Sequence, residues 1–254
     1  MEASKRGAAD KGYVGHKAAK MMKRSKAIEA RCEEAIAEKR SLLRHVERMD
    51  ELKISPLSHH SDVLVRLNDV APCYEGRMVC APLSAKIRQG ERVCLSGRNG
   101  CGKSSLLKVI MGKQIAHTGT VELASGLVIS CVPQDASFLC GLPGAYAKQL
   151  GIDESLFKAL LRKMGFARAD FEQEMSGYSD GQKKKVLIAG SLCQQAHLYI
   201  WDEPLNFIDI ESRMQIESLL RRYAPTMLIV EHDQAFQKQI DGRILQMHAG
   251  KEEQ

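Results

Sequence analysis

Gly97-Arg98-Asn99-Gly100-Cys101-Gly102-Lys103-Ser104 reads G-x-x-x-x-G-K-S, the pattern of a phosphate-binding loop. Glycines let the backbone turn tightly, so several N–H groups point into one concavity. A helix starting near Lys103 aims its positive dipole end at the same point. Lys103 adds a mobile charge for β- and γ-phosphates, and the Ser104 hydroxyl is a ligand for Mg²⁺. The flanks fit. Arg92-Val93-Cys94-Leu95-Ser96 is a short apolar strand entering the loop, and Ser105 to Met111 leaves it as an apolar helix.

Working outward, Asp202-Glu203 follow the apolar run Leu198-Tyr199-Ile200-Trp201. An acid at a strand's carboxyl end, beside a phosphate loop, holds Mg²⁺ through water, and that acid is Asp202. Glu203 is placed to orient or deprotonate an attacking water. Ser179-Asp180-Gly181-Gln182 opens another helix, whose N-terminus can bind phosphate. Gln134 follows the run Leu127–Val132 and His232 follows Met227–Val230, which sets both at the same sheet edge as Asp202. Strands alternating with helices around a phosphate loop predict an α/β nucleotide-binding core with buried parallel strands. The reading also expects a strand at Val63–Leu67, a hairpin turn at Gln89-Gly90, strands at Thr118–Leu123 and Leu127–Val132, and mostly helix over 143–175. Further helices are expected from Gly181 to about Gln194 and over Ser212–Arg222.

From His16 to Lys53 there is no Gly or Pro, which predicts one long helix. Met21, Ser25, Ile28, Cys32, Ala35, Lys39, Leu42, Val46 and Met49 form a heptad seam along it. A seam of this kind needs a partner helix. Of the net charge of +6, residues 1–53 carry 14 Lys+Arg against 9 Asp+Glu, so the basic character belongs to this segment. Lys17, Lys20, Lys23, Arg24 and Lys26 make a basic tip suited to nucleic acid; the same charges also read as a solvated helix face. The eight cysteines include no C-x-x-C pair and read as reduced thiols of a cytosolic protein. No run approaches the length of a membrane span, and no signal peptide opens the chain, so no membrane insertion is expected.

Gly97–Ser104, Gln134, Ser179–Gln182, Asp202-Glu203, Asp209 and His232 come in the order and spacing of an ATP-binding cassette ATPase. They resemble its Walker A, Q-loop, signature, Walker B, D-loop and switch histidine. The resemblance implies ATP and Mg²⁺ as cofactors. Gly97, Asn99, Gly100, Gly102, Lys103, Ser104 and Ser105 would contact the nucleotide, and Tyr74 resembles the aromatic that stacks on adenine. Ser179, Gly181, Gln182 and Asp209 would bind the nucleotide held by a second cassette. Ser104, Gln134 and Asp202 would hold the metal, with Glu203, His232 and Gln134 as catalytic residues. The signature departs from L-S-G-G-Q in placing Asp180 where a carboxylate would lie close to a γ-phosphate.

Val14–Lys26 and Ile200–Asp209 further resemble the second linker helix and Walker B region of the F subfamily. They are most similar to the branch that protects ribosomes from lincosamide, streptogramin A and pleuromutilin antibiotics. The resemblance implies a cytoplasmic C-terminal half with a loop remnant at 1–16, a basic linker helix at 17–53 and a linker at 54–61. A P-loop cassette domain with a helical subdomain would occupy 62–247, and a tail 248–254. The partners implied are a second cassette and, through the basic tip, rRNA or tRNA of the ribosome. The rival expectations are the ATPase subunit of a membrane transporter and an inactive truncated fragment.

Overall fold

A computed structural model describes residues 54–250. The described residues belong to one unit of the chain, which begins at Ile54. The expected long helix, its seam and the basic tip lie outside the described residues.

Two sheets build this unit. The first is antiparallel: β1 (Val63–Tyr74) pairs with β2 (Arg77–Met78), β3 (Leu83–Arg88) and β5 (His117–Leu123). β1 is 12 residues long, well beyond the Val63–Leu67 expected. Its register slips at Asn68–Asp69, where Asp69 has φ 51°. Gly119 faces that bulge, and a Cβ there would lie 2.2 Å from the Asn68 carbonyl oxygen.

The second sheet runs β6 (Ile129–Val132), β7 (Leu198–Asp202), β8 (Met227–Val230), β4 (Arg92–Ser96), β9 (Arg243–Gln246), with every pair parallel. β7 and β8 are buried along their whole length, as the unbroken apolar runs require of strands covered on both faces. α1 (Lys103–Ile110) joins the two sheets: Leu106, Leu107, Val109 and Ile110 share one core with Leu64 and Val65 of β1 and Val93, Leu95, Ile200 and Val230 of the parallel sheet. Each such side chain contributes about 1.5–3 kcal/mol on burial.

The Gln89-Gly90 turn forms, but it is not a hairpin: β3 and β4 belong to different sheets. The Gly90 N–H donates to Thr226 Oγ1 at 2.8 Å and the Met227 N–H donates to the Glu91 carbonyl at 2.9 Å. These bonds tie the turn to the start of β8 and steer β4 into the parallel sheet. Residues 143–175 break into α2 (Pro143–Gln149), α3 (Glu154–Lys163) and two short 3-10 turns. α4 (Asp180–Cys193), α5 (Ile210–Tyr223) and α6 (Gln234–Gln239) follow. His248 to Gly250, expected as tail, bond back instead: Ala81 N–H reaches the His248 carbonyl at 2.9 Å and Gly250 N–H the Val79 carbonyl at 3.2 Å. The seven described cysteines are all free, and burial pushes the Cys80, Cys94 and Cys131 thiols up to about 11. No described helix is long and apolar enough to cross a membrane.

Candidate active site

The parallel sheet sets four strand ends side by side in the order β6, β7, β8, β4. Gln134 lies two residues past β6, and Asp202 closes β7 with Glu203 next. Glu231-His232 follow β8 and Gly97 follows β4. The ladder pairs Val132 with Trp201, Asp202 with Val230, and Leu95 with Val230, so the expected residues share the carboxyl edge where open α/β sheets bind ligands.

At that edge the phosphate loop is closely fitted. A Cβ on Gly97 would lie 2.7 Å from both Cys101 Sγ and the Met247 carbonyl oxygen. Met247 itself is held by its N–H to the Ser96 carbonyl at 2.7 Å. Gly102 caps α1 in the left-handed region, φ 88°, with no side-chain cap, which leaves the first-turn N–H groups for a ligand. Lys103 is buried and donates to the Gly97 and Arg98 carbonyls at 2.9 and 3.2 Å. Its ammonium is held by the loop it will serve, with no acid competing for it in those bonds.

The acids meet the loop. Asp202 is 8% exposed, and its side chain lines one cavity of about 270 Å³ with Ser104 and Gln134. Burial pushes the Asp202 carboxyl up; the Ser104 hydroxyl and the Lys184 charge oppose it. Asp202 Oδ1 is buried with no hydrogen-bond partner among the described residues. An orphaned carboxylate oxygen beside a serine hydroxyl is a donor set that fits a hard divalent cation. Glu203 Oε2 accepts from Gln134 Nε2 at 3.1 Å and from Asn206 Nδ2 at 2.8 Å. A cleft of about 430 Å³ is lined by Asn99, Gly100, Gly102, Lys103, Ser104, Ser105, Gln134 and Glu203, together with Val79.

Other expected residues stand outside that cleft. Tyr74 is half exposed, with its hydroxyl 3.1 Å from Ser105 Oγ, beside the first turn of α1. Ser179 and Gln182 form a reciprocal capping box on α4, and a Cβ on Gly181 would lie 2.6 Å from the Phe207 carbonyl oxygen. Asp180 lies exposed in the first turn of α4. Asp209 caps α5 through the Ser212 N–H and pairs with Lys185 at 2.5 Å. Burial alone would raise its carboxyl, but the bonds from Lys185 and Ser212 outweigh it and hold it at about 2. His232 is exposed, its N–H bonded to Glu231 Oε1 at 2.8 Å.

Two site residues escaped the sequence reading. Glu231 is buried at the end of β8 with Oε2 unpartnered among the described residues. Lys184 is 3% exposed. It sits in a Lys-Lys-Lys run that reads as solvated, yet it shares a helix face with Ile188 and Ser191, at i, i+4 and i+7. That periodicity was the available signal.

The family model described as ABC transporter matches residues 80–206. The chain is similar to the ribosome protection protein VmlR of Bacillus subtilis (strain 168), 28% identical over 75% of this chain and 35% of that protein. It is similar to the zinc import ATP-binding protein ZnuC of Magnetococcus marinus, 30% identical over 70% of this chain and 71% of that protein. The fold matches a bacterial Atm1-family ABC exporter solved with ATP bound, TM-score 0.64 at 19% identity, over 76% of this chain and 38% of that one. The chain spans about a third of the length of VmlR and of the similar proteins Uup of Buchnera aphidicola and YdiF of Bacillus subtilis.

Proposed function

The chain belongs to the ABC transporter family, whose ATP-binding domain it carries, and on that premise we propose that it binds ATP and hydrolyses it to ADP and phosphate. The observation that carries the reading is that Ser104 and Gln134 line both the cleft that holds Lys103 and Glu203 and the cavity that holds Asp202. Gly97 to Ser105 cradle the phosphates, with Tyr74 beside the adenine. Ser104 and Asp202, with Gln134 beside them, hold Mg²⁺, which when bound neutralises charge on the phosphate oxygens. Glu203 orients the attacking water and takes its proton, while Gln134 and His232 register the γ-phosphate. Ser179, Gly181, Gln182 and Asp209 do not line the cleft of their own chain, which supports a site completed by a second cassette.

The broader role we propose is ribosome protection of the F-subfamily type. It rests on the likeness to VmlR and on the basic residues Lys17, Lys20, Lys23, Arg24 and Lys26, which suit rRNA and tRNA phosphates. The likeness to ZnuC favours a second reading, the energising subunit of a transporter. Cosedimentation of the chain with ribosomes, lost on neutralising those five residues, is the expected result. Sedimentation with membranes instead would select the transporter reading.

A further inference from the structure

The ladder between β6 and β7 ends at Val132 and Trp201. Past it the two strands diverge into the loops that carry Gln134 and Glu203, and Pro133 has no N–H with which to continue the pairing. The Lys184 ammonium takes over. It donates to the Pro133 carbonyl at 2.9 Å, the Gln134 carbonyl at 3.0 Å and the Asp202 carbonyl at 3.4 Å. Three donors meet three acceptors, and Lys184 itself is 3% exposed. Two turns on along the same face of α4, Ser191 accepts from Trp201 Nε1 at 2.9 Å and shares a 2.7 Å bond with Ser130 of β6. α4 is thereby fastened to the same two strands at two heights, and its first residues carry the Ser179–Gln182 capping box.

We propose that Lys184 is a positioning residue for ATP hydrolysis, a clamp that makes the N-terminal turn of α4 and the backbone bearing Gln134, Asp202 and Glu203 one mechanical unit. A shift of α4 reaches both loops through its bonds and without passing through the phosphate loop. Burial pushes the Lys184 ammonium's pKa down, and the charges of Asp202, Glu203, Glu231 and Asp135 oppose that. The phosphate loop has its own lysine, so nucleotide binding does not depend on this one.

The proposal rests on the ATPase reading, and one experiment separates the two. Wild-type chain, Lys184→Met and Lys184→Gln are compared for MgATP affinity, turnover and amide hydrogen exchange. The Met variant keeps the apolar stem and removes every donor; the Gln variant keeps two donors and carries the test if the Met variant does not fold. The expected result is a Kd within about threefold of wild type and a kcat lower by about tenfold or more, milder for Gln than for Met. Exchange at residues 133–136 and 202–206 rises by about tenfold. A folded Lys184→Gln protein with wild-type kcat and wild-type exchange would overturn the clamp. Parallel loss of binding and turnover would overturn it too, since that marks general structural damage. Absence of MgATP binding by the wild-type chain would remove the ATPase reading, and the proposal with it; where the chain binds but does not turn over alone, wild-type exchange in a folded Lys184→Gln protein overturns the clamp.

Discussion

Gln134 Nε2 and Glu203 Oε2 lie 3.1 Å apart, a hydrogen bond between loops that leave two neighbouring strands. Asn206 holds the same oxygen from the other side at 2.8 Å. The carboxylate is therefore aimed before any nucleotide arrives, and its aim depends on accepting two amide N–H groups.

Glu203→Gln preserves that aim, because the carboxamide oxygen can accept both bonds, but it removes the base. Turnover should fall by about a hundredfold or more, in line with the loss of a general base. MgATP affinity should stay within about threefold. Steady-state phosphate release and equilibrium nucleotide binding check the pair. Near-wild-type hydrolysis would take Glu203 out of the base role.

Gly97→Ala tests the fit of the loop. The new methyl would sit 2.7 Å from the Met247 carbonyl oxygen, and backbone cannot yield as a side-chain end can. The loop must shift, and its carbonyl is one of the two that hold Lys103. Overpacking of this kind costs about 1–3 kcal/mol. Urea unfolding should show that loss, and nucleotide titration should show affinity lower by about tenfold or more. Unchanged affinity would mean that the loop tolerates displacement.

The phosphate loop and the Asp202-Glu203 pair were legible in the sequence because their chemistry resides in local spacing. Strand β4 was likewise readable, since its buried centre Val93-Cys94-Leu95 is an apolar run leading straight into the loop. What failed was pairing at a distance. Gln89-Gly90 reads as a hairpin turn from its neighbours, and only bonds to Thr226 and Met227 show that it crosses between sheets. β9 has just two apolar residues and lies at a sheet edge, so it left no pattern to find. Lys184 was hidden by its own side chain: a lysine among lysines signals solvent, and its burial depends on carbonyls some fifty residues before it and eighteen after.

Asp209 separates capping from charge. Asn at this position still caps α5 and loses only the ion pair with Lys185, which is worth about 0.2–1 kcal/mol because the carboxylate is half exposed. Asp209→Ala loses the cap as well and should cost about 1–2 kcal/mol. The carboxyl stands at about 2 in the fold, against about 3.9 in the unfolded chain. A lowered carboxyl binds fewer protons in the fold, so its contribution is complete above pH 4 and disappears as pH falls toward 2. Chemical denaturation across that window should be less steep in pH for both variants than for wild type. An equal slope would assign the acid sensitivity to other groups.

A second pH dependence lies near neutrality, at His197. The Val128 N–H donates to His197 Nδ1 at 2.9 Å, which requires that nitrogen to be unprotonated. The His59 ring stacks edge-on to His197 at 5.0 Å and lies 4.1 Å from His60. Burial, then the neighbouring His59 and His60, push His197 down from its ordinary value. The unfolded chain thus takes up this proton first, near pH 6.5. The stability His197 contributes is complete above that pH and is lost as pH falls through the lower folded value. The melting temperature should decline between pH 7.5 and 5.5. His197→Asn offers an amide oxygen to the Val128 N–H and cannot titrate, so its decline should be shallower. If the two curves run parallel, the proton that destabilises the fold binds elsewhere.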